Sequence, residues 1–178
     1  GEQSDNYFNK IISSEIENTA NGESDSADYK DKISEIKENI KVKVDEISEE
    51  LDPSSYKNIR EAFEELNELR EEHGVSKLSW NDNIYELVKF QASKGLCSSS
   101  HCDHMDSSGK YFDAYAGQFG VSLMGHSAEN IAGSDCHRAV VDLWLHSTTG
   151  HRENMLNPVM YQGALAYDKG NCVLIVTS

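Results

Sequence analysis

A chain of 178 residues has room for one domain of ordinary size and an extension. Its 31 Asp and Glu against 16 Lys and Arg give a net charge of −15, which excludes nucleic acid as a partner, because that binding is driven by basic residues neutralising phosphates. No apolar run approaches the roughly 18 residues that a membrane helix needs, so no span is expected in the chain.

The acidity is uneven, with residues 1–52 carrying 15 of the acidic side chains and 6 of the basic ones. Residues 1–27 read as an acidic flexible tether: Tyr7, Phe8, Ile11, Ile12 and Ile16 suffice for one or two helical turns, and Asn21-Gly22-Glu23-Ser24-Asp25-Ser26 adds no large apolar group. Gly1 reads as a processed end, so the lack of a signal peptide says nothing about export. Over residues 28–51, Ile33, Ile36, Ile40, Val44, Ile47 and Leu51 recur at steps of three and four, the period of an amphipathic helix with an acidic outer face. Such a stripe needs a partner, and docking on the domain is preferred to pairing with another copy, since so short a heptad run is weak coiled-coil evidence. The protein is expected to be a monomer.

A domain is expected over 52–178. Asp52-Pro53 offers an N-cap and a proline for the first helical position, and Tyr56, Ile59, Phe63, Leu66 and Leu69 line one face of a helix ending at Gly74. A second helix is predicted from about Asn83 to Ser93, stopping at Gly95, and a third from about His137 to His146 through Val140, Val141 and Trp144. Tyr161–Tyr167 and Cys172–Thr177 read as strands joined by Asp168-Lys169-Gly170-Asn171. Helices flanking a small, mostly antiparallel sheet make an α+β fold of α-β-α sandwich type. Cys97, Cys102, Cys136 and Cys172 form an even set, which suggests two disulfides in an exported domain and three possible connectivities; four buried thiols in a cytosolic protein is the other reading.

Several short motifs follow one another in a fixed order. Leu66-Asn67-Glu68-Leu69-Arg70 precedes Leu78-Ser79-Trp80-Asn81, and Lys94-Gly95-Leu96 leads to His104 with Gly109-Lys110 five and six residues on. Ala128-Glu129-Asn130-Ile131-Ala132, Trp144 and Gly150-His151-Arg152-Glu153-Asn154-Met155-Leu156-Asn157-Pro158 complete the series. This order resembles the CAP superfamily (cysteine-rich secretory protein, antigen 5 and pathogenesis-related 1; SCP domain) in its bacterial form, over roughly residues 54–178. The resemblance implies the sandwich fold, an extracytoplasmic place, secreted or anchored at the surface as a lipoprotein, and a surface cleft where His104, Glu129 and His151 meet. Membrane contact would come only through an N-terminal lipid anchor.

Some members of that superfamily bind divalent metal in the cleft, and imidazole and carboxylate suit zinc. Members with the fullest site carry a second glutamate three residues after the helix tryptophan; Ser147 stands there, with Glu153 a nearby substitute. Weak zinc binding by His104, Glu129 and His151 is therefore the expectation. Disulfides are expected as Cys97–Cys102, close in sequence and ahead of His104, and Cys136–Cys172, tying the loop after Ala132 to the last strand.

Structural roles compete for the same residues. Glu129, read in a turn before Asn130-Ile131, could accept backbone N–H groups, and His151 before a helical turn could cap it. His101-Cys102-Asp103-His104 cannot converge on one ion without a tight loop, because adjacent positions of an extended chain point to opposite sides; His73, His126, His137 and His146 read as surface residues. His151-Arg152-Glu153 echoes the H-x-E of zinc deaminases, but no C-x-x-C follows Pro158. Two function classes stand: a non-enzymatic exported module that binds a protein, lipid or metal ion, possible host interaction included, and a metal-assisted hydrolase with Glu129 as base and His104 and His151 as ligands. The first is favoured, since no serine or cysteine could be assigned beside a histidine with a third orienting group.

Overall fold

Helix α1 (Ala27–Leu51) follows the apolar spacing of its stripe, with Ile33 and Ile40 half-buried and Ile36, Ile47 and Leu51 exposed. The structure, a computed structural model, describes residues 27–98 and 101–178. Apart from Ala27, the expected tether therefore lies outside the described residues. The chain divides after Ser48 into two units, and everything below concerns the second.

Helix α2 (Tyr56–Glu72) buries Ile59, Ala62, Phe63, Leu66, Asn67 and Arg70. Its start lies later than the Asp52-Pro53 signal suggests. Ser55 is the N-cap, accepting from Asn58 N–H, while the Asp52 carboxylate accepts from the backbone and hydroxyl of Ser54. A local Asx turn thus takes up the acid that would have capped the helix. Strand β1 (Ser79–Trp80) leads into α3 (Asp82–Ala92), whose cap Asn81 accepts from Asn83 and Ile84 N–H.

The next segment holds a two-stranded hairpin, β2 (Cys97–Ser98) and β3 (His101–Cys102), and a short α4 (Asp113–Ala116) continued by a 3₁₀ turn. Strand β4 (Ser127–Ala132) follows. Helix α5 (Cys136–Arg138) runs directly into a π-helical stretch, Ala139–Trp144, with Leu145 N–H donating to Val140 C=O. Helix α6 (His151–Met155), β5 (Gln162–Asp168) and β6 (Asn171–Thr177) complete the chain. Lys169 and Gly170 both have positive φ, 48° and 79°, the requirement of the tight hairpin turn predicted between the last two strands.

The sheet order is β1-β5-β6-β4, with β1 parallel to β5 and the other pairs antiparallel. Central β6 is buried along its whole length, and its alternation splits the core in two. Leu174 and Val176 join Phe63, Leu66, Trp144 and Leu165 under α2 and the π-helix. Val173 and Ile175 join Ile84, Leu87, Val88, Ile131 and Ala164 under α3. This is the expected α-β-α sandwich. Both predicted disulfides are present, Cys97–Cys102 and Cys136–Cys172.

Arg70 is wholly buried and ties α2 to the loop after α6. Its guanidinium donates to Ser76, Met155, Asn157 and Met160 carbonyls at 2.9, 2.6, 3.2 and 2.9 Å. Burial pulls its pKa down, four carbonyl dipoles standing in for a carboxylate.

Candidate functional site: a histidine–glutamate pair beside a cleft

Glu129 lies in β4, not in the turn expected from sequence. Asn130 is a poor strand former, but its partners lie elsewhere: its Nδ2 donates to His151 C=O at 2.8 Å and its Oδ1 accepts from Asn154 Nδ2 at 2.9 Å, which sets the first turn of α6 against the strand. Ser127–Ala132 pairs with Cys172–Thr177 without a break. Alternation then puts Glu129 and Ile131 on the α3 face of the sheet and Asn130 and Ala132 on the other.

His104 Nδ1 donates to Glu129 Oε2 at 2.8 Å, and the glutamate side chain is 2 % exposed against 43 % for the histidine. The carboxylate raises the His104 pKa above its ordinary value, its hydrogen bond being the largest cause. Burial raises that of Glu129, whose Oε1 is buried and has no hydrogen-bond partner among the described residues. His151 is shifted the other way: burial lowers its pKa, and the neighbouring charge of His104 lowers it further. The two imidazoles are thus electrostatic neighbours with opposite protonation tendencies.

The loop carrying His104 is clamped by a group that the sequence reading missed. Asp106 accepts from Lys94 Nζ at 2.8 Å, from the Tyr115 hydroxyl, from Ser108 and from Lys110 N–H. Lys94 Nζ also stands 3.5 Å from the Tyr115 ring centroid. Lys94 first, then Tyr115 and Ser108, hold the Asp106 carboxyl far below the usual carboxylate range. Asp106 N–H donates to Lys110 C=O around Gly109 at φ 76°. The Gly109-Lys110 pair is therefore the closing turn of this loop, and the histidine's distance from it reflects a structural need.

Ser147, at the place of the absent second glutamate, lies with its Oγ 3.1 Å from His151 Nδ1 and accepts from Thr149 N–H at 3.1 Å. Its position four residues before His151 was the available signal. Glu153 is exposed on α6 and acts on His151 through its charge, as a minor influence.

Among the described residues no three His, Cys, Asp or Glu side chains are grouped to hold an ion. Glu129 Oε2 is engaged by His104, and Oε1 is buried without a hydrogen-bond partner among the described residues. The adjacent cleft, of about 490 Å³, is lined by His151 but not by His104 or Glu129. Ile131, Ala132, Leu143, Trp144 and the Cys97–Cys102 bridge line it, together with His101 and Lys169.

An α-β-α sandwich closed by two disulfides, with a His–Glu pair on its edge strand, defines a small bridged domain of the SCP class. A model of the cysteine-rich secretory protein (CAP) family matches residues 63–174, and the chain belongs to that family. In fold it is similar to an extracellular SCP-domain protein of Bacillus anthracis str. Ames, with TM-score 0.59, 20% identity and 67% of this chain matched to 40% of that one. A cysteine-rich secretory protein of Staphylococcus aureus subsp. aureus Mu50 gives 0.52 at 16% identity, 66% of this chain against 37% of that one. An outer surface protein of Borrelia burgdorferi gives 0.55 at 20%, covering 68% and 92%. At these identities the likeness is one of fold, and the chain spans about two fifths of the first two proteins. No curated protein matches it in sequence. Among the described residues no helix is long and apolar enough to cross a membrane.

Proposed function

We propose that this protein acts outside the cytoplasm as a non-enzymatic binding module whose ligand occupies the cleft between the β2–β3 hairpin and the π-helix. The observation that carries the reading is the cleft itself: about 490 Å³, where Ile131, Ala132, Leu143 and Trp144 share the lining with a comparable amount of polar surface. A concavity of that volume is within the range of small-ligand sites. The Cys97–Cys102 bridge in its wall supports a preformed shape, and extracellular structural relatives support the location.

The hydrolase reading has less support. Glu129 is almost fully buried and engaged by His104, so it is not presented to a water above the cleft. Ser147 Oγ accepts from Thr149 N–H within its own turn, which suits orienting His151 better than attack on a substrate.

Anilinonaphthalene sulfonate, an aromatic anion, tests the cleft. Its fluorescence should rise on binding wild type and fall back in Leu143→Asp, a change at a 40 % exposed position that spares the core. Hydrolysis of p-nitrophenyl acetate or fluorescent casein should stay at background. Turnover lost in both His104→Ala and Glu129→Gln would overturn the non-enzymatic reading.

A further inference from the structure

A second cavity, of about 470 Å³, shares no lining residue with the cleft and does not depend on the reading given to it. Four aromatic side chains line it: Tyr85 and Phe90 from α3, Phe119 from the 3₁₀ turn and Tyr167 from β5. All four are half-buried, and packing holds their rings. Phe90 lies 5.4 Å from Phe119 and 5.0 Å from Tyr115 between centroids, and Tyr85 lies 5.1 Å from Trp80. A concavity of that volume is within the range of small-ligand sites.

The charges of the lining choose the sign of a ligand. Of its three charged residues, Glu86, Lys89 and Asp168, two are acidic. The single cation is already engaged: Lys89 Nζ donates to both Glu86 carboxylate oxygens at 3.2 Å. Asp168, in contrast, is exposed, and its carboxylate meets no partner among the described residues. The lining therefore carries an uncompensated negative charge, in a chain whose net charge of −15 also attracts cations.

The rings favour the same sign, because the face of an aromatic ring is its negative part. The chain itself shows this twice. Lys89 Nζ stands 5.2 Å from the Tyr85 centroid and Lys94 Nζ 4.4 Å from that of Phe90, within the reach of about 6 Å for a cation–π contact. The kind of cation follows from what the lining can offer. A metal ion needs several oxygen or nitrogen ligands, and among the described residues no three His, Cys, Asp or Glu side chains are grouped to hold one. A primary ammonium needs acceptors for three N–H groups, and Lys89 has taken those of Glu86. A quaternary ammonium has no N–H to satisfy, and its methyl groups pack on ring faces.

We infer that this cavity holds a quaternary ammonium group of the choline type, with its methyls against the aromatic rings and its charge balanced by Asp168. Such a group could arrive as a free small cation or as a lipid head group.

The test is an NMR titration of the whole chain with choline chloride and with 3,3-dimethylbutan-1-ol, which has the same shape without the charge. Choline should bind at least about tenfold more tightly than the alcohol. Tyr85→Leu keeps an apolar side chain but loses the ring face, and should bring choline close to the alcohol. Asp168→Asn, at an exposed position, should weaken choline several-fold and leave the alcohol unchanged. Lys89→Met, also exposed, removes the competing cation and frees Glu86, so it should strengthen choline binding.

Equal binding of choline and the alcohol overturns the inference, as does choline binding weakened by Lys89→Met. Methyl α-glucoside binding in wild type without choline binding assigns the cavity to a sugar and overturns it too. Dihexanoylphosphatidylcholine below its micelle concentration separates the sources. Tighter binding than choline, lost in Asp168→Asn, supports the inference with a lipid head group as the source, and equal binding supports it with a free cation.

Discussion

Replacing Arg70 by Met tests whether a charge with no acidic partner among the described residues holds the second unit together. Met keeps much of the volume and leaves four carbonyls without their donor. Those of Ser76 and Asn157 accept in part-buried contacts and can turn to water. Those of Met155 and Met160 are buried, and each orphaned acceptor costs about 1–3 kcal/mol. Relief of the guanidinium's own desolvation offsets part of this, so the net loss should be about 3 kcal/mol. Over a unit of 130 residues (Glu49–Ser178) that corresponds to a melting midpoint lower by about 10 °C. Arg70→Lys retains the charge with three donors and should fall by about half as much. Urea unfolding followed by circular dichroism gives the numbers. Arg70→Met within about 0.5 kcal/mol of wild type would show that the four contacts contribute little net stability, and the argument would fail.

The His104–Glu129 pair makes a signed prediction. The folded state holds the His104 proton more tightly than the unfolded chain, with its ordinary value of 6.5, so its gain is full below that value and lost as pH rises through the higher folded one. The advantage of wild type over Glu129→Gln should therefore shrink as pH rises above about 6.5; an advantage that grew would refute the pairing. By NMR titration His104 should titrate above His151 in wild type, and the order should approach reversal in Glu129→Gln. Removing the buried Cys136–Cys172 bridge, 36 residues apart, should cost about 4 kcal/mol, and the Cys97–Cys102 bridge, 5 apart, about 2 kcal/mol, on the loop-entropy account. Under limiting reductant with mass mapping, the half-exposed Cys97–Cys102 pair should open first. Asp106→Asn should speed amide hydrogen exchange across residues 103–110 while leaving β5 and β6 protected; unchanged exchange there would remove the clamp assigned to Asp106. Calorimetry with zinc alone should give no tight one-to-one site, and a tight site lost in His151→Ala would show that Glu129 leaves His104 to join a three-ligand set.

Local regularities determined much of the fold from sequence. The α1 and α2 stripes, the short α3, the Lys169-Gly170 hairpin and the α-β-α layering all follow from period and turn chemistry, which act over a few residues. The family motifs carried His104, Glu129 and His151, and the disulfide pairing agreed with the expectation. What acts across the chain was decided by tertiary structure. Strand β4 has Glu and Asn at its centre, so its propensity is weak, and it exists because Asn130 finds partners in α6 and β6 supplies the ladder. Packing across the chain also decides which titratable groups meet: it pairs His104 with Glu129, while among the described residues no three His, Cys, Asp or Glu side chains are grouped to hold an ion. Asp106, Lys94 and Tyr115 have no recognisable pattern in sequence, yet they hold the loop of His104. Whether a cleft opens on acidic or basic groups depends on which side chains converge there, and a net charge of −15 gave no hint that none of the described residues lining this cleft would be acidic.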